Sequence, residues 1–143
     1  MADLEKSSCG VDRDLQRVMF TLQVHVTVCS FIECMENSRI ESDQEKHKDH
    51  IKQQKVVKLS QRGCLSAAYR LLCNMAHAFS PVQEALSDLV PNFLEHATVN
   101  GAWLAIHDSS PTHLVSAVYH DNKHLGMQVS EDMVRQFVNL MRD

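Results

Sequence analysis

The stretch "SPVQEALSDLVPNFLEHATVNGAWLAIHD" (residues 80–108), with its continuation "SSPTHLVSAVYH" (109–120), decides how the fold is read. It opens on helix signals and closes on two short runs rich in apolar and aromatic residues. Ser80 stands where a helix N-cap belongs, with Pro81 at the first helical position and Gln83 completing a capping box. Leu86, Leu89, Val90, Phe93 and Leu94 form the core face of that helix. Pro91 is expected to kink it or end it early, because its ring clashes with the carbonyl four residues back. After Asn100 and Gly101, "AWLAIH" (102–107) and "HLVSAVYH" (113–120) read as two strands. The residues between them, Asp108 to Thr112, are turn-rich and of hairpin length.

Toward the N-terminus, "CLSAAYRLLCNMAHAF" (64–79) reads as a buried helix with Leu65, Ala68, Leu72, Met75 and Phe79 on one face, and Gly63 separates it from what precedes. From Asp12 onward, Leu15, Val18, Met19, Leu22, Val26, Cys29, Ile32 and Met35 recur at threes and fours, which lays one stripe along a single long helix. "VHVTV" (24–28) alternates like a strand, but the longer period runs on both sides of it and prevails. Toward the C-terminus, Ser130 caps a last helix whose first turn holds Glu131 and Asp132. Its expected buried stripe is Val134, Phe137, Val138 and Met141.

These readings predict an α+β fold, predominantly helical. A long N-terminal helix and a helical bundle carry a C-terminal β-hairpin and a final helix. Residues 1–10 read as a flexible terminus and 11–143 as one domain, with 39–62 a charged connector or exposed helix. The α-β-β-α order over 81–141, carried by "GAWLAIHD" and "HLVSAVYH", resembles the opening of GAF-type sensor domains and of roadblock-type domains. The resemblance transfers no ligand and no functional residue.

Composition narrows the function classes. At 143 residues the chain is long enough to bury a core without staples, and its 44% apolar content is that of a folded protein. A net charge of −4 argues against a surface built throughout for nucleic acid or anionic lipid. The five cysteines are an odd number with no C-x-x-C, and "MADLEKSSCGVDRD" offers no signal-peptide core, so a reduced, intracellular chain is expected, cytoplasmic with the nucleus left open. The thiols are expected to be largely buried and unpaired, Cys64 and Cys73 in packed helix. No run approaches a membrane span.

Motifs for chemistry are missing. No G-x-S-x-G, P-loop, H-E-x-x-H or G-x-G-x-x-G occurs, which points away from an enzyme, and no catalytic residue and no cofactor is assigned. His107, His113, His120 and His124 cluster around the expected hairpin, but strand alternation turns His113 opposite to His120, so no metal site is assigned. "HKDH" (47–50) has helical metal-ligand spacing inside the most charged stretch, where a solvated face is the simpler reading. Lys46, Lys48, Lys52, Lys55, Lys58 and Arg62 form a basic patch against one acid, Asp49. It has no interleaved aromatic for base stacking, so no specific nucleic-acid partner is expected.

The partner signal lies in the N-terminal helix. With Val18, Leu22, Val26, Cys29 and Ile32 on one side, Phe20, Val24, Val28 and Phe31 fall elsewhere around the circumference. A helix apolar over so much of its surface is surrounded. Those four residues are therefore the expected contact with another protein or a second copy of the chain. The leading expectation is a non-enzymatic protein-interaction module, a regulatory or adaptor subunit acting through apolar helix faces, in homodimeric form or otherwise. The alternative is a small-molecule sensor with its pocket between the hairpin and the helix starting at Pro81.

Overall fold

The computed structural model describes residues 11–44, 51–100 and 111–142. These form a helical bundle of eight helices: α1 (Arg13–Thr21), α2 (Val24–Gln44), α3 (Ile51–Ala76), α4 (Ser80–Ser87), α5 (Val90–Asn100), α6 (Pro111–Tyr119), α7 (Lys123–Gly126) and α8 (Glu131–Arg142). No strand occurs among the described residues.

The expected hairpin is therefore not formed, and the α+β class gives way to an all-helical one. Its first strand, with His107, lies outside the described residues. Its second strand is α6. Pro111 begins this helix, and Pro111, Leu114, Val115 and Val118 are buried from it. That is a period near 3.6, whereas a strand would have left the adjacent Leu114 and Val115 on opposite faces. Helix α6 packs against α3, α4, α5 and α7, so burial on several sides overrides the strand preference of its β-branched residues. The likeness to hairpin-bearing sensor domains goes with the hairpin.

The single long N-terminal helix is also corrected. It breaks at Leu22 and Gln23, and the two parts turn through 70°. Gln23 takes a left-handed backbone, φ 55°. No glycine or proline marks the site. Two anchors explain it. The Gln16 carboxamide donates to the carbonyls of Asn74, Met75 and His77 at the end of α3, and the Phe20 ring meets Phe79 edge-on at 6.1 Å. Helix α1 is thus tied across the end of α3, while α2 runs along α3, and the chain must turn between them.

Other local expectations shift by small amounts. Gly63 lies inside α3 and does not interrupt it. The N-cap of α4 is Phe79, without a side-chain cap, so Ser80 is already helical. Pro91 falls in the first turn of a new helix, α5, after a break at Asp88 and Leu89. Asp12 caps α1 through its own carboxylate, and Ser130 Oγ accepts from the Met133 amide at the start of α8. The charged stretch 39–62 is helical where described, as the end of α2 and the start of α3.

The core runs from Cys29 and Ile32 of α2 through Leu65, Tyr69, Leu72 and Met75 of α3, then Phe79 and Val82, Phe93 and Leu94, and Leu114 and Val118. The expected faces of α3 and α5 are the buried ones. Helix α8 supplies no fully buried side chain among the described residues; Met133, Phe137 and Leu140 are only partly covered. Among the described residues no single helix is long and apolar enough to cross a membrane.

Candidate functional site

The bend at Gln23 decides which apolar side chains face outward. Helix α1 buries Gln16 and half-buries Met19 and Phe20. The neighbouring arc, Leu15, Val18 and Leu22, is exposed at 54%, 54% and 69%, and Val26 follows at 49% across the bend. Positions 15, 18 and 22 are one face of a helix by their spacing of three and seven. The result is an exposed apolar arc that does not coincide with the buried side of its own helix. The sequence stripe placed these residues on one side of the helix with Cys29 and Ile32. Only its second half, Cys29 and Ile32, is buried.

Of the four residues expected at a partner contact, Phe20, Val24 and Val28 are partly buried and packed on the core. Phe20 also stacks on His25 at 5.0 Å between ring centroids. Phe31 is 41% exposed.

A second apolar surface is concave. Leu94 of α5, Val115 and Tyr119 of α6, Val129, and Met133, Val134, Phe137 and Val138 of α8 line a groove of about 660 Å³. This is within the range that buries small ligands or anchoring side chains. Its polar members are Ser116, His120 and Asp121. The groove exists because α8 rests on α5 without sealing itself against α6. Val134 and Val138, expected in the core, are 50% and 38% exposed on its outer wall. The side chain of Met141 lies outside the described residues. The seam between α4 and α6 is closely packed. Val82 and Leu86 are fully buried there, and Gln83 bridges to α6.

The histidines are scattered. His113, His120 and His124 are exposed, and among the described residues no group of three or more metal-ligating side chains converges. His120 contacts Asp121 at 3.3 Å and stacks on His77 with centroids 5.8 Å apart. The tandem histidines of 47–50 lie outside the described residues, as do Lys46 and Lys48. Lys52, Lys55 and Lys58 belong to α3, and Arg62 is exposed on it.

Among the buried polar side chains, those of Gln16 and Gln83 have roles that sequence reasoning missed. Gln16 closes the end of α3, and Gln83 donates to the carbonyls of Ala117 and His120 at 3.0 and 2.9 Å, closing the end of α6. Each supplies from another helix the donors that a helix C-terminus lacks. Their apolar neighbours, Val18 and Met19, and Val82, give only an indirect sign that these glutamines face inward.

The cysteines separate into two kinds. Cys29 is buried, and burial with the nearby Glu33 carboxylate pushes its thiol up to about 11. Burial does the same to Cys73, also to about 11. Cys34 and Cys64 are exposed, the latter against expectation, and none of these four is in a disulfide. Tyr69, fully buried, has its hydroxyl proton held more tightly than usual by burial, with the Glu36 and Cys29 charges adding to it, and its Oη hydrogen bonds with His96 Nδ1 at 3.1 Å.

No protein-family model, no curated protein and no solved structure matches this chain. The functional reading therefore rests on these surfaces.

Proposed function

We propose that the chain is a protein-interaction module, a regulatory or adaptor subunit without catalysis of its own, whose partner surface is the exposed arc of α1. The observation that supports this is the mismatch within α1. Its buried side is held by a polar anchor, Gln16, while Leu15, Val18 and Leu22 stand in solvent. Exposed apolar side chains are ordinary when scattered. Three at helical spacing along an anchored helix and its C-cap, with Val26 beyond the bend, are a candidate contact site. Phe31, farther along α2, is a secondary member of the contact.

A photo-crosslinking residue placed at Leu22 tests the reading, with the same residue at the exposed Glu84 of α4 as control. A protein adduct from position 22 in cell extract is expected, absent from position 84 and lost when Val18→Glu is added. Equal adducts from both positions, or none from position 22, would refute the assignment. The variant Val18→Glu should also keep its unfolding free energy within about 0.5 kcal/mol of the parent, as an exposed substitution does.

A further inference from the structure

The segment around the α1–α2 bend is held in its conformation from outside. Gln23 has φ 55°, a left-handed backbone that a residue with a Cβ disfavours. Gln16 Oε1 and His25 Nδ1, on either side of it, are the two buried side-chain polar atoms without a hydrogen-bond partner among the described residues. Leaving such groups unpaired costs free energy, and here the cost falls on the bent arrangement. The bend also interrupts an apolar period, Leu15, Val18, Leu22, Val26, Cys29 and Ile32, that runs straight through it in the sequence.

We infer that the bend is one of two states of the chain: the contacts of Gln16 and Phe20 with the exit of α3 are a latch, and on its release α1 and α2 join into a single straight helix from Arg13 to Gln44.

The latch consists of contacts made outside the α1–α2 segment. The Gln16 carboxamide holds the carbonyls of Asn74, Met75 and His77, and Phe20 meets Phe79 edge-on. Helix α2 has its own hold on the core through Cys29 and Ile32, with Val28 and Met35 packed beside them, so it keeps its place when α1 leaves.

The straight state is one that the sequence accepts. No proline or glycine lies between residues 13 and 44. At the bend the amides of Val26 and Thr27 both turn to the Gln23 carbonyl. A continuous helix restores the regular ladder there and returns Gln23 to the right-handed region. The Gln16 carboxamide regains water. Against these gains stand the latch contacts, which favour the bent state at rest.

The latch sets which apolar surface the chain offers. Bent, Leu15, Val18 and Leu22 stand on one axis and Val26 on another, turned by 70°. Straight, all four line up with Cys29 and Ile32 as one stripe. The inference concerns the chain alone and holds whether or not the arc meets a partner.

Pulsed electron paramagnetic resonance on the full chain tests it. Spin labels on ketone-bearing amino acids at the exposed positions 13 and 37 leave the native thiols untouched. At 1.5 Å per residue these positions are about 30 Å apart through a 70° bend and about 36 Å apart along a straight helix. The parent should show the shorter distance. Gln16→Glu sets a carboxylate against three carbonyl oxygens and should move the population to the longer distance, in a narrow distribution with helical circular dichroism undiminished. Phe20→Ala, which releases the other tie without adding charge, should raise the same component. Adding Gln23→Gly to either variant should lower the ratio of straight to bent about tenfold, because glycine accepts the left-handed turn and disfavours helix.

The shorter distance persisting in both releasing variants overturns the inference. So does a broad distribution with lost helicity, since α1 would then fray instead of joining α2. A long component that Gln23→Gly leaves unchanged overturns it as well. If Gln16→Glu unfolds the chain, Phe20→Ala with and without Gln23→Gly decides by the same two distances.

Discussion

Asn122 donates through Nδ2 to Gln83 Oε1 at 3.0 Å, while the Nε2 of the same glutamine holds the carbonyls of Ala117 and His120. One buried side chain therefore joins α4, the end of α6 and the N-cap of α7, since Asn122 Oδ1 also accepts from the Leu125 amide. Replacing Gln83 with leucine keeps the volume and strands two carbonyls and an amide. A loss of about 2–3 kcal/mol is expected, the cost of leaving buried polar groups unpaired. Urea unfolding measures it, and a loss below about 0.5 kcal/mol would show that water replaces the glutamine.

Glycine and alanine stand in each other's places at two positions of α3 and its exit. Gly63 lies within the helix, and a Cβ built there meets nothing within 4 Å. Ala78, after the helix, has φ 50°. Gly63→Ala should stabilise by about 0.8–1 kcal/mol through helix propensity. Ala78→Gly should stabilise by about 0.5–1 kcal/mol by relieving a left-handed backbone that a Cβ disfavours. The sites are separated by fifteen residues along the chain, and the two gains should add in thermal unfolding.

His25 gives the stability a dependence on acid. Its ring is buried against Phe20, its Nδ1 has no hydrogen-bond partner, and burial lowers its proton affinity. The unfolded chain, with an imidazole pKa near 6.5, takes up the proton first. Stability contributed by neutral His25 is thus fully present above about pH 6.5, falls as pH drops below it, and levels once the native ring is protonated. His25→Gln should make the pH dependence of unfolding shallower between about pH 7 and 5. Subtracting the variant from the parent removes the other histidines, and identical curves would contradict the assignment.

The thiols should label in two classes. Cys34 and Cys64 are expected to react with a maleimide in the native protein, whereas Cys29 and Cys73 should wait for unfolding, because burial keeps them protonated and covered. Peptide mapping after a short labelling pulse distinguishes the classes. Prompt reaction at Cys29 would place α2 off the core.

Much of the interior was legible because it obeys one period. Leu65, Ala68, Leu72 and Met75 of α3, and Val90, Phe93 and Leu94 of α5, are buried on the face their spacing predicts. Two segments misled for a common reason. "HLVSAVY" has strand-like residues, yet neighbours on several sides hold it as α6. The stripe from Leu15 to Met35 is continuous in sequence, yet tertiary anchors at Gln16 and Phe20 break it at an ordinary glutamine. Local pattern cannot register a tie between residues 16 and 74. The exposed arc and the groove followed from that same blindness, because an apolar residue in a sequence carries no mark of whether its own fold will cover it.

Helix α6 has a further consequence, for the fate of the chain once it unfolds. Its helical state belongs to its surroundings, not to its residues, since "HLVSAVY" is β-branched, aromatic at its end, and has no formal charge apart from a protonated histidine. Released from α3 and α5, such a segment meets the description of those that stack into intermolecular sheets. The interior of this bundle thus conceals an adhesive sequence. Heating should therefore end in precipitation, with an apparent melting temperature that shifts with scan rate, and a lysine in place of Ser116, which is exposed in the native helix, should keep the unfolded chain in solution.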